Sequence, residues 1–174
     1  MKLMIKPLVI ALAICFTSAG IAQNNAIDKY FSNYADDERF TKVSISSKMF
    51  NLFTNFSAED ADEQQVIETI SKLKGLKILI GNEITDSKQV YKSVNSTTAN
   101  SYEELMTVEN AEQEMIFYIS ESSGIITELV LLMYEGENVM ILSLTGDIDL
   151  QELSNLSDKM DIQGFEEFKN LKNK

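Results

Sequence analysis

Short apolar segments separated by tight turns fill the chain from residue 102 to residue 148, and this pattern constrains the fold more than any other feature. Each segment has the length and the Val, Ile, Leu and Met content of a buried β-strand. The connections are too short for a crossover helix, so consecutive strands must be antiparallel. The predicted strands are Leu105–Val108, Met115–Ile119, Ile125–Tyr134 and Val139–Leu144.

Apolar residues at helical spacing dominate the rest of the chain. They predict helices near residues 27–34, 49–56, 57–73 and 150–160, with two more strands at Phe40–Ile45 and Leu76–Ile80. Residues 86–101 suit a helix at first, but the segment Asn95–Thr98 has poor helix propensity and favours a loop. We therefore expect an α+β fold: an antiparallel β-sheet, a meander of about four to six strands, with helices packed mainly on one face.

The predicted strand Ile125–Tyr134 is apolar on both sides. Odd positions from Leu129 to Met133 and even positions from Val130 to Tyr134 are all apolar, whereas a sheet with one open face needs apolar residues on one side only. We expect a second layer over the other side, either a helix of this chain or another molecule.

The N-terminus has the pattern of a secretory signal peptide. Lys2 and Lys6 precede an apolar run from Leu8 to Phe16, which is shorter than the roughly 20 residues needed to span a bilayer. Small residues before the site predict cleavage after Ala22, so that the mature chain begins at Gln23. The predicted organisation is a signal peptide at 1–22 and a single α+β domain at 23–174.

A lipoprotein is the alternative interpretation of this segment, because Cys15 ends the sequence Leu-Ala-Ile-Cys. Ile14 is bulky where a small residue belongs, and Cys15 still lies inside the apolar run, so both features argue against lipidation. We expect a periplasmic or secreted protein without a transmembrane segment in the mature chain.

The composition excludes several classes of function. The chain has no His or Trp, and its single Cys15 and single Pro7 lie in the predicted signal peptide, so a zinc site or His- or Cys-dependent catalysis would lack its usual residues. Asp and Glu number 27 against 15 Lys and Arg, a formal charge of -12, which disfavours nucleic acid as a partner. The sequence therefore assigns no catalytic residue, no cofactor and no metal ligand.

Carboxylates are the only abundant reactive groups. Glycoside hydrolysis needs two of them facing each other across a cleft, which neighbours on one strand or helix do not provide. A carboxylate-dependent hydrolase is therefore the least favoured interpretation. The close pairs are Asp147/Asp149, Glu103/Glu104 and Glu166/Glu167.

Two acidic clusters could offer oxygen ligands to calcium, namely the segment from Glu59 to Glu63 and the pair Asp147 and Asp149. The residues that follow this pair do not match the EF-hand loop. Acidic residues in the first turn of a helix explain the first cluster, and an N-cap explains the second.

The segment Ser46–Lys48 could form a Ser–Lys dyad, but a serine N-cap for the next helix explains it more simply. The aromatic and methionine residues of that helix could line a pocket for an apolar ligand, although helical spacing makes core packing the default expectation. These residues are Met49, Phe50, Phe53 and Phe56.

Four segments carry a resemblance to a known family: FTKVSISSKMF at 40–50, LKGLKIL at 73–79, GIITELVLL at 124–132 and LSLTGDIDL at 142–150. With the signal peptide, they resemble an exported Bacteroidota family catalogued as domain of unknown function 4252. The resemblance spans nearly all of the predicted mature chain. It implies an envelope location, and it implies neither an activity nor catalytic residues.

These observations favour a non-catalytic binding or interaction module of the cell envelope. Its partner would be an envelope protein or an apolar small molecule. The alternatives are a periplasmic carrier or sensor with an apolar cavity between sheet and helices and, last, the carboxylate-dependent hydrolase. An exposed apolar patch would favour a protein partner.

Overall fold

The computed structural model describes residues 26–34, 36–55 and 57–160. Over these residues the chain forms five helices and six strands. The helices are α1 (Ala26–Asn33), α2 (Ser47–Phe53), α3 (Ala61–Ser71), α4 (Ser87–Thr98) and α5 (Leu150–Met160). The strands are β1 (Phe40–Ser46), β2 (Leu73–Gly81), β3 (Glu103–Glu109), β4 (Gln113–Ser122), β5 (Ile125–Glu135) and β6 (Asn138–Ile148).

All six strands belong to one antiparallel sheet with the order β1-β2-β6-β5-β4-β3. The strands β3 to β6 are consecutive neighbours, which confirms the meander and the α+β class. The strand β6 also pairs with β2, so the last strand among the described residues lies inside the sheet. Within the described ranges, none of the helices has the length and apolar character needed to cross a membrane.

The turn between β4 and β5 shows why short connections predicted this topology. Ser123 and Gly124 have φ angles of 55° and 82°, a pair of positive values that suits the twist of a two-residue hairpin. Because the turn is so tight, it forces the two strands into the antiparallel register that pairs Ser122 with Ile125.

Two hydrophobic clusters lie on opposite faces of the sheet. The first cluster contains Ile27 and Tyr30 of α1 together with Val90, Tyr91 and Val94 of α4. The second cluster contains residues of α2 and α5. Helices thus contribute to both clusters, and the expectation that they pack mainly on one face is not confirmed. The two-sided apolar pattern of β5 has its physical reason here, since each side of the strand faces its own cluster.

The helix α4 extends further than its propensity predicts. It continues through Asn95–Thr98, the segment for which we predicted a loop. Thr98 is completely buried and its Oγ1 donates to the main-chain oxygen of Val94 at 2.9 Å, while Tyr118 Oη and Asn95 Oδ1 lie 2.5 Å apart. Contacts with the sheet therefore override the weak local preference.

Candidate functional site

A polar cleft lies between α1 and the sheet, with a volume of about 170 Å³. The pairing of β2 with β6 sets Lys77 opposite Ser143 and Gly75 opposite Thr145, and residues two apart on a strand share a face. Gly75 is needed for this packing, since a Cβ there would lie 2.9 Å from Thr145 Oγ1. The lining residues are Asp28, Gly75, Lys77, Ser143 and Thr145.

A buried carboxylate stands behind the cleft. Glu128 is 4% exposed, and its two oxygens accept hydrogen bonds from Ser143 Oγ at 2.6 Å and from Tyr102 Oη at 2.8 Å. Burial raises the pKa of Glu128 above its usual value. The hydrogen bonds from the Ser143 and Tyr102 hydroxyls lower this pKa, but the effect of burial is larger. The surroundings therefore favour the protonated carboxyl more than water does.

The chain supplies its own cation to this region. Lys77 Nζ donates to Asp28 Oδ1, and the Lys77 ammonium also lowers the pKa of Glu128. The same ammonium lies 5.9 Å from the centre of the Phe31 ring. Within the described ranges, no group of three or more His, Cys, Asp or Glu residues lies close enough together to hold a metal ion.

The chemistry open to this cleft is limited. A serine hydroxyl next to a carboxylate is one way to make a nucleophile, but Ser143 is only 4% exposed and its Oγ already donates to Glu128 Oε1. The hydrogen bonds instead tie Glu128 of β5 to Ser143 of β6 and to Tyr102 at the start of the meander. The arrangement fits a structural network around a buried carboxyl whose pKa burial raises.

A second candidate is an apolar surface on the opposite face of the sheet, beside β1 and β2, which we call the α2 surface. Met49, Leu52 and Phe53 lie three and four positions apart on α2 and are 45%, 59% and 42% exposed. Val43 of β1 joins them at 36%. The expectation that the aromatic and methionine residues of this helix pack in the core is wrong for Met49 and Phe53.

The physical reason is the junction between β1 and α2. The helix begins at Ser47, directly after the last residue of the strand, so the strand fixes which side of α2 meets the sheet. That side carries Phe50, which is 7% exposed and belongs to the second cluster. Phe56 lies outside the described residues.

The acid pairs named from the sequence do not form a catalytic centre. Asp149 Oδ1 accepts hydrogen bonds from the main-chain N–H groups of Gln151 and Glu152 at 2.8 and 3.1 Å, which confirms the N-cap. Asp147 Oδ1 instead bonds Lys74 Nζ at 2.7 Å on the surface. The two carboxylates are thus committed to different partners.

The other acidic candidates also have local roles. Asp60 caps α3 by accepting from the Glu63 N–H at 2.8 Å. Glu63 Oε2 in turn accepts from the N–H of Glu59, the residue before the cap, at 2.8 Å. Glu103 and Glu104 are adjacent exposed residues of β3, so their side chains point to opposite faces of the sheet. Glu166 and Glu167 lie outside the described residues.

The segment Ser46–Lys48 remains at the surface. Ser46 occupies the N-cap position of α2, as predicted, but its side chain makes no capping hydrogen bond. All three residues are exposed.

The polar cleft itself was missed by sequence reasoning. Its lining residues come from three elements far apart in the chain, so no spacing connects them. The available signal was Glu128, a charged residue inside the apolar run Ile125–Tyr134, because a charged residue rarely becomes buried unless it has partners.

A comparison with family models gives one match: the family described as Domain of unknown function (DUF4252) matches residues 34–156. The match includes all six strands and α2, α3 and α4. Comparisons with curated proteins and with solved structures give no match.

Proposed function

This chain belongs to the DUF4252 family, and we propose that it is an exported protein of the cell envelope that acts by binding another protein and not by catalysis. Family membership supplies no activity, so the proposal depends on the chain's own features. The observation that carries it is the α2 surface, where three large apolar side chains are exposed together. Contiguous exposed apolar side chains on a soluble domain are typical of protein interfaces.

Export is supported by the N-terminal sequence. The basic residues, the short apolar run and the small residues before Gln23 fit a cleaved signal peptide. The rest of the chain contains no cysteine, so the domain needs no disulfide to fold in an oxidising compartment.

The polar cleft gives less support to the two alternatives. A carrier of an apolar ligand needs an apolar cavity, whereas the cleft is lined by charged and hydroxyl side chains. A carboxylate-dependent hydrolase needs two accessible carboxylates, and Glu128 is buried.

Site-specific photo-cross-linking in the intact envelope tests the binding role. A photoreactive amino acid at Leu52 should give a discrete protein adduct, because this side chain is 59% exposed within the α2 surface. Lys92, exposed on α4, is the matched control and should give none. Equal adduct patterns from both positions, or none from either, would contradict the proposal.

Cell fractionation with N-terminal sequencing tests export. The mature protein should begin at Gln23 and appear in the envelope or medium fractions. A cytoplasmic protein that keeps Met1 would show that this part of the proposal is wrong. Turnover of any substrate that is lost in a folded Glu128→Gln variant would overturn the non-catalytic part.

A further inference from the structure

We propose that β1 is the pairing edge for a second copy of this chain, so that two sheets join antiparallel across a two-fold axis at Val43. This inference rests on the proposed binding role and names the partner. It begins from a difference between the two edges of the sheet, since an exposed edge strand can pair with another chain unless it is guarded.

Two features of the edge strand β3 protect it from pairing with another chain. It carries Glu103, Glu104 and Glu109, and its register with β4 is interrupted between Glu104 and Met106. Acidic residues and bulges are both devices that prevent edge-to-edge pairing. A second copy meeting this edge would bring carboxylates together.

The edge strand β1 lacks both devices. Its register with β2 is continuous from Phe40 to Ser46, and it contains no acidic residue. Its one lysine, Lys42, donates from Nζ to the main-chain oxygen of Tyr34 at 2.8 Å, which draws the ammonium towards α1. Among the described residues β1 pairs with β2 alone, so alternate main-chain groups face outward.

The sequence of β1 is suited to pairing with itself. The strand has 7 residues and Val43 is its midpoint, so an antiparallel pair centred on Val43 uses the whole strand. In this register Lys42 faces Ser44 of the second copy, while a pair centred on Lys42 would oppose two like charges. On the other face, Val43 meets its own copy and Thr41 meets Ile45. The complete pair would form about six to eight main-chain hydrogen bonds.

Charge allows two copies to approach at this edge. The chain has a formal charge of -12, which disfavours contact between most of its surfaces. Residues 39–58, however, contain Arg39, Lys42 and Lys48 and no Asp or Glu. The β1 edge is therefore a place where acidic copies meet without opposing carboxylates.

The α2 surface would enlarge the interface between the two copies. Ile45 of β1 packs with the second cluster, to which Phe50 of α2 belongs, so α2 lies on the face of the sheet that also carries Val43. A two-fold axis through Val43 places the two α2 helices at opposite ends of the paired β1 strands, on this same face of the sheet. Their exposed apolar side chains then flank the paired strands, and the symmetric contact closes as a dimer because it uses both free β1 edges.

The test measures the molar mass of the purified protein by light scattering and sedimentation across a concentration series. The protein is obtained by expressing the full-length chain. We expect a dimer. The variant Val43→Lys should weaken association at least about tenfold, because two ammonium groups would meet at the axis. Thr107→Lys, a matched change on the guarded edge β3, should leave the dimer unchanged.

Mixing two variants tests the axis itself. Val43→Glu alone and Val43→Lys alone should both be monomers, while their mixture should form a mixed dimer because opposite charges then face each other. Circular dichroism confirms folding, which the 36% exposure of Val43 favours. A monomeric native protein, open-ended assemblies, or a native dimer that Val43→Lys leaves intact would each overturn the inference.

The cross-linking experiment separates this inference from the proposed function. An adduct from Leu52 that contains a different protein, together with a monomeric purified chain, would refute the second copy and retain the binding role. A monomer without any adduct would refute both.

Discussion

Ser143→Ala should destabilise the protein by an amount that depends on pH. The Ser143 hydroxyl donates to Glu128 at 2.6 Å, and both side chains are 4% exposed, so water does not replace the lost donor. A hydrogen bond to an ionised group contributes about 1.5–3 kcal/mol. We expect a loss of that size at about pH 8, where Glu128 is ionised more fully.

The sign of the pH dependence follows from the raised pKa of Glu128. The usual pKa of a Glu carboxyl is 4.5. Below this pH, Glu128 is protonated in both the folded and the unfolded chain, so burying it does not require burying a charge and its contribution to the free energy of unfolding is fully present. As pH rises through the higher folded pKa, burial of the charge costs free energy and that contribution is lost. The Ser143 hydrogen bond lowers the pKa, so its removal raises the pKa further and costs more at high pH.

Urea unfolding, followed by circular dichroism and tyrosine fluorescence because the chain has no Trp, measures these free energies. Glu128→Gln provides the matched background, since it keeps the shape and cannot ionise. There Ser143→Ala should cost only about 0.5–1.5 kcal/mol, with little change between pH 4.5 and about pH 8. Equal costs in both backgrounds and at both pH values would refute the reasoning that Glu128 is a buried carboxyl whose ionisation Ser143 supports.

Three further changes test the fold by urea unfolding. Gly146→Ala should cost about 1–3 kcal/mol, because its Cβ would lie 2.5 Å from a main-chain oxygen. Gly136→Ala, also at positive φ but in open space, should cost only about 1 kcal/mol. A larger loss of stability for Gly136→Ala than for Gly146→Ala would contradict this. Leu79→Ala should cost about 2–5 kcal/mol because the side chain is completely buried, and a loss below that range would mean that the site collapses. Asp149→Ala should cost about 0.5–2 kcal/mol as an N-cap, whereas Asp147→Ala should stay within about 0.5 kcal/mol as half of an exposed ion pair; equal losses would argue against the capping role.

The sheet was predictable because its signals are local. The pair Ser123 and Gly124 marks a hairpin, and the short apolar runs of β4 to β6 mark strands whose register the tight turns set. The order of the strands was not predictable, since nothing near β2 in the chain indicates that Leu76 will pair with Leu144. That pairing is decided by packing over long sequence separations.

The two candidate sites illustrate different limits of sequence reasoning. In α2, the spacing of Met49, Leu52 and Phe53 correctly groups them on one side of a helix, but spacing alone does not tell which side meets the sheet. At the cleft, Glu128 and Ser143 are partners only because β5 and β6 are neighbours, and Tyr102 joins them through the fold. Such partners become visible when the tertiary structure is known.

The inner position of β6 has a consequence for biosynthesis. In the sheet, β6 lies between β2 and β5, so β1 and β2 join the other strands only when β6 is present. The strand β6 ends at Ile148 of a 174-residue chain. A nascent polypeptide therefore cannot complete its sheet until most of it has left the ribosome. This delay would favour a precursor that must thread through a translocation pore before it folds, as the proposed export requires.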